Sequence, residues 1–247
     1  MTTPPSWVTA LLPAKPTGAR LLSAERASSD VDSTRLAELI NGGREAIQMR
    51  ERIEAAVQGK TGPGIIEQTS MSRVEKMEHS LARGKALKRM RKNLGWSDAE
   101  YNLAVRSTGE GNVYSLHDQA FMRVLVDQST DEQKTAFLAD AQADRLIGCY
   151  AQTELAHGSN VRGLETTATW DPSDKTFVIH SPEITSAKWW IGTLGRTANH
   201  AMVMAQLILD GKNMGPHTFL VPIRDTNTHE LLPNVFAGDI GPKFGYK

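Results

Sequence analysis

The chain of 247 residues is long enough for one large domain or two small ones, with a substantial buried core. Apolar residues at 40% and charged residues at 23% are ordinary globular usage, which excludes collagen, coiled coil and wholesale disorder. The 28 Lys and Arg balance the 28 Asp and Glu, disfavouring a nucleic-acid binder held by global positive charge, and the single cysteine, Cys149, excludes an internal disulfide or a multi-thiolate zinc site.

Pro4, Pro5, Pro13 and Pro16 make the first 20 or so residues read as an extended arm or surface loop. From Asp32 to Gln58 the residues favour helix, with Leu36, Ile40, Ile47 and Ile53 as an imperfect stripe and Gly42-Gly43 as an interruption. A break at Lys60 to Gly64 precedes a basic helix over Ser70 to Asn93, whose charged face reads as solvated rather than as a phosphate-binding surface. Ser97 and Glu100 form a capping box for a helix over Asp98 to Arg106. Further helices are expected over Leu116 to Asp127 and over Asp131 to Asp140, the latter capped by Thr130.

From Leu146 onward the pattern changes to short β-branched and aromatic runs. Thr166 to Trp170 and Lys175 to His180 read as strands joined by a tight turn. His200 to Leu209 and His217 to Ile223 read as two more, separated by Asp210 to Asn213. Helices followed by strands predict an α+β chain: an N-terminal all-helical domain, 1–146, followed by an antiparallel β-barrel or sandwich domain, 147–247.

Several chemistries fail on spacing. Gly59-Lys60-Thr61 lacks the upstream glycine of a phosphate loop, because Glu54 stands there. There is no dinucleotide fingerprint, no nucleophile elbow, and no pair of histidines close enough for a compact metal site, so no metal is expected. No apolar run approaches the roughly 18 residues of a membrane helix, and neither end of the chain carries a readable targeting signal.

Residues Gly148 to Trp170 are dense in small hydroxyl residues and glycine, the composition of a ligand loop or of a polar turn. Within it Glu154 and Arg162 are a candidate structural pair. The run from Cys149 to Trp170, CYAQTELAHGSNVRGLETTATW, closely resembles a signature of the acyl-CoA oxidases, the peroxisomal flavoenzymes of fatty-acid β-oxidation. Ser181 to Asn199, Val221 to Arg224 and Gly238 to Tyr246 resemble further stretches of that family in the same order. The likeness is strong from about Leu116 to Lys247 and weaker before it. Ala156, Trp170, Ile191 and Thr193 depart from the family's usual residues at those positions.

The resemblance implies FAD as cofactor and a fatty acyl-CoA as substrate, oxidised to a trans-2-enoyl-CoA with electrons passed to O2 to give hydrogen peroxide. It implies that Thr153 hydrogen-bonds the flavin with Gln152 beside it, that Gly192 is a second flavin-contacting position, and that Trp190 lies near the ring. Packing under the sheet is the alternative for Trp189 and Trp190. The family's catalytic glutamate lies in C-terminal helical domains absent from this sequence. No catalytic residue is therefore assigned, Glu154 is not taken as the base, and Lys188 and Arg196 are given surface or structural roles. The β domain is expected to be incomplete, and the chain to be a truncated oxidase. The alternative is an inactive remnant that binds FAD or acyl-CoA weakly or pairs with a full-length oxidase. Family members are peroxisomal homodimers; with no signal of its own, a cytosolic chain is the other expectation. No nucleic-acid partner and no membrane span are expected.

Overall fold

The computed structural model describes Trp7, Leu11 and residues 18–62, 64–109 and 112–243. The expected N-terminal arm lies largely outside these residues. The chain divides into two compact units, Met1–Ala56 and Val57–Lys247.

In the first unit, helix α1 spans Gly18–Ser28 and α2 spans Ser33–Asn41. The Asp32 carboxylate accepts from the N–H groups of Thr34 and Arg35, satisfying two of the four donors a helix start leaves unpaired. Gly42 closes α2 in the left-handed conformation at φ +82°, and Gly43 N–H reaches back to Glu38 O at 2.7 Å. The Gly-Gly pair is thus the end of one helix and the entry to the next, α3 over Arg44–Val57, which crosses the unit boundary by a residue.

The second unit opens with a single turn, α4 (Ile65–Gln68), and the long α5 (Arg73–Leu94). Ser72 and Glu75 cap α5 reciprocally, and Gly95 ends it. α6 (Asp98–Ser107) begins at the expected Ser97–Glu100 box. The region expected as one helix from Leu116 is a π-helical turn, His117–Phe121, running into α7, Met122–Gln128. α8 (Asp131–Gln142) starts on Thr130, paired with Gln133.

Five strands follow: β1 (Gly148–Ala151), β2 (Thr167–Asp171), β3 (Thr176–His180), β4 (His200–Leu209) and β5 (Lys212–Pro222). β4 is the spine. β5 runs antiparallel along one side of it; β1 and then β2 lie parallel along the other, and β3 pairs antiparallel with β2. The sheet is therefore mixed rather than wholly antiparallel. β1 and β2 each reach β4 by a crossover, and only the two hairpins reverse direction. It is open rather than a closed barrel, so of the two architectures expected the sandwich-type sheet stands. The turn between β4 and β5 is two residues rather than four: Asp210 and Gly211 take φ +49° and +75°, the twist that lets Leu209 face Lys212 directly.

Alternation along β4 sorts the core. Ala201, Val203 and Ala205 pack with Cys149, Ala151, Ala168, Ala198 and Ile223. Met202 packs with Phe121, Leu125, Ala141 and Leu146, joining the sheet to the π turn and to α7 and α8. Gly148 makes this junction possible, since a Cβ there would lie 2.0 Å from the Phe121 ring. No helix among the described residues is long and apolar enough to cross a membrane.

Candidate functional site

Beyond β1 the chain stays extended through Gln152, Thr153 and Glu154, and a second segment, Ala187 to Trp189, runs beside it. Trp189 N–H donates to Thr153 O at 3.0 Å, Leu155 N–H donates to Ala187 O at 2.9 Å, and Glu154 and Lys188 face each other as an antiparallel bridge. The structure thereby brings together two runs separated by some thirty-five residues, both singled out in the sequence.

Glu154 is only 2% exposed and fully engaged. Its carboxylate accepts from Glu165 N–H at 2.8 Å, Thr166 N–H at 3.0 Å and Lys188 Nζ at 3.0 Å, and pairs with His157 Nδ1 at 3.0 Å. Burial alone would raise this carboxyl; the donors from Glu165, Thr166 and Lys188 outweigh it and hold it at about 2. It is a structural anion with no proton to trade near neutral pH. Arg162, the partner expected from sequence, is not among its contacts. Of the surface or structural roles expected for Lys188 the structural one stands. What the sequence did not reveal is its partner, because nothing in the Ser181–Asn199 run names a carboxylate 34 positions upstream.

Gln152 is half-buried, its Oε1 accepting from Tyr150 OH at 2.8 Å and its carbonyl from Lys188 Nζ at 3.1 Å. Thr153 is exposed, and its hydroxyl has no partner among the described residues. Trp190 is 56% exposed and Trp189 43%, so neither tryptophan is a core residue. Trp190 takes φ +54° and Thr193 φ +69°, uncommon for bulky and β-branched side chains. They frame a tight turn in which Thr197 and Ala198 N–H both return to Thr193 O. The Thr193 hydroxyl oxygen is buried without a partner among the described residues. Gly192 sits in the turn just before this one, closed by Leu194 N–H on Ile191 O at 3.3 Å, and a Cβ there would lie 2.0 Å from Leu116 Cδ1, so its close approach is to the end of a helical leucine. Arg224, 6% exposed, holds the turn from behind, donating to Leu194 O at 2.8 Å, Ala198 O at 2.6 Å and Gly195 O at 3.2 Å.

A second polar cluster ties helices to sheet. Lys88 Nζ on α5 lies 3.0 Å from Asp118 and 2.5 Å from Asp144, and 4.9 Å over the Tyr114 ring. Arg91 pairs with Asp98, and Arg73 with Asp239 at 2.5 Å, so the basic helix spends much of its charge on tertiary partners rather than on solvent alone. His117 Nε2 donates to Ala141 O at 3.1 Å while its Nδ1 accepts from Gly148 N–H at 3.0 Å. Both ring nitrogens are used by a neutral tautomer, and burial, reinforced by Lys88, lowers the histidine below its ordinary value. His117, Asp118 and Asp144, like Glu154, His157 and Glu165, converge as potential metal ligands, but a lysine ammonium already sits on each set. A cleft of about 480 Å³ opens elsewhere in this unit, lined by Leu125, Phe137, Met202, Met204, His217 and Leu220 among others.

Residues 32–147 match the family model for the acyl-coenzyme A oxidase N-terminal region. Among curated proteins, acyl-coenzyme A oxidase acox-1.1 of Caenorhabditis elegans is 41% identical over 232 residues, covering 91% of this chain and 34% of its own length. Human peroxisomal acyl-coenzyme A oxidase 1 is 37% identical over 228 residues, again covering 91% and 34%. The solved Arabidopsis thaliana acyl-CoA oxidase 1 superposes with a TM-score of 0.82 at 37% identity, over 90% of this chain and 34% of that one. Acyl-CoA oxidase-1 of C. elegans, solved with FAD and ATP, superposes with a TM-score of 0.81 at 38% identity, over 90% and 35%. The chain thus spans about a third of the length of the relatives it matches.

Proposed function

From the chain's membership of the acyl-CoA oxidase family, whose N-terminal and middle portions it matches, we propose that it serves FAD-dependent oxidation of a fatty acyl-CoA to the trans-2-enoyl-CoA, with O2 reduced to hydrogen peroxide. Bound FAD would supply the two-electron acceptor for that oxidation. The chain's own part is to hold the flavin by the Thr153 hydroxyl and the neighbouring Gln152, by the turn containing Gly192, and by the exposed face of Trp190. The observation that carries this reading is the Trp189–Thr153 hydrogen bond of 3.0 Å, which sets the two segments side by side just beyond β1.

The donor set fits the group. The unpartnered Thr153 hydroxyl and the orphaned Thr193 oxygen suit a flat ring edged with carbonyl and imine acceptors, and an indole exposed by half suits its face. No residue here is assigned as the base that removes the α-proton. We place the functional division at 146/147, with helices before it and the flavin-contacting sheet after it. Peroxisomal residence follows the same reading, since several relatives are named as peroxisomal oxidases.

The test is the visible spectrum of the purified chain before and after addition of FAD, followed by anaerobic addition of an acyl-CoA and an aerobic peroxide assay. Shifted flavin bands with bleaching and peroxide release are the expected result for the oxidase. Shifted bands without bleaching would make the chain a binding remnant, and unshifted bands would overturn the flavin site.

A further inference from the structure

We infer that Lys188 is the positioning residue of the flavin-contacting segment, a role that rests on the reading above. Its ammonium has three hydrogens and three acceptors: Met204 O on β4 at 2.7 Å, Glu154 Oε1 at 3.0 Å and Gln152 O at 3.1 Å. The first anchors it to the central strand, the second to a buried carboxylate, and the third to the residue next to Thr153. Lys188 also lies between Ala187, which accepts from Leu155, and Trp189, which donates to Thr153. One cation thus fixes both ends of the Gln152–Glu154 segment and the start of the tryptophan turn. With its side chain only 11% exposed, it neither reaches solvent freely nor presents its charge at the surface. Three tetrahedrally arranged donors suit an ammonium, whereas the planar fork of arginine does not match three acceptors on separate elements.

Lys188→Met keeps the length and apolar stem of the side chain and removes all three bonds. It leaves Glu154 buried without its cation, so the Lys188→Met/Glu154→Gln double variant is examined beside it to guard against global unfolding. Two readouts are taken at a temperature where each variant is folded by circular dichroism. Hydrogen exchange by mass spectrometry follows the peptides containing the Leu155 and Trp189 amides and, for comparison, those of the β4–β5 ladder. FAD titration follows flavin fluorescence.

The expected result is local acceleration at Leu155 and Trp189 with the ladder unchanged, together with FAD affinity weakened by about tenfold, as for other residues that orient a ligand-contacting group. Exchange that accelerates uniformly, or FAD affinity equal to that of the unmodified chain, would overturn the positioning role. An unmodified chain that leaves added FAD unperturbed would instead overturn the flavin reading, and this inference with it.

Discussion

Glu154 and His117 are both buried ionisable groups, and both make folding depend on pH in the same direction. The Glu154 carboxyl is held at about 2 against an ordinary 4.5, so its contribution is complete above about pH 4.5 and is lost as pH falls toward 2. His117 is a base whose value is lowered in the fold. The unfolded chain binds its proton more readily, and stability declines as pH drops through about 6.5. Urea unfolding between pH 8 and pH 5 is expected to show this decline, with a flatter profile in His117→Gln, which can still donate and accept. Glu154→Ala strands the Lys188 ammonium in a buried site and is expected to cost about 3 kcal/mol or more in unfolding at pH 7. Gly148→Ala drives a methyl into the Phe121 ring, with an expected loss of about 2–3 kcal/mol by the same measurement. None of these costs is visible in the sequence, because each depends on a partner between 11 and 34 positions away.

The elements divide by how local their causes are. α5, α6 and α8 begin where capping boxes place them, since Ser72 with Glu75, Ser97 with Glu100 and Thr130 with Gln133 satisfy the first turn without outside help. Ser97→Ala is accordingly expected to cost about 1 kcal/mol, read from thermal unfolding. The π turn at His117–Phe121 has no such local signal. It widens the helix so that His117 can bond Ala141 and Gly148 while Phe121 lies on Gly148, a set of tertiary demands that periodicity does not carry. The turn from Trp190 to Ala198 is also shaped from outside, by Arg224. There Thr193 holds a strained left-handed backbone and a buried unpaired hydroxyl. Thr193→Gly removes both and is expected to raise stability by about 1 kcal/mol, seen as an increased Tm.

At the scale of the molecule, the mixed sheet leaves edges open among the described residues. β3 is exposed along most of its length, with Val178 at 54% and Phe177 at 41%. An exposed edge strand of this kind, paired on one side only, invites pairing with another chain. Val178→Lys is expected to reduce concentration-dependent association in sedimentation without changing the far-ultraviolet spectrum. Much was legible beforehand: the change from helix to strand near residue 146, the interruption at Gly42-Gly43, the hairpins around β3 and β5, and the family signature itself. The first three rest on capping, alternation and turn chemistry, which act over a few residues and so are written into the chain directly; the signature was legible only as a resemblance of whole runs of residues. The parallel alignment of β1 and β2 on β4, the open rather than closed sheet, the pairing of Glu154 with Lys188 instead of Arg162, and the exposure of both tryptophans were decided only in three dimensions. Each depends on which distant backbone is nearest once the core has formed, and burial then turns a chance neighbour into an obligatory partner, because a charge withdrawn from water must find one.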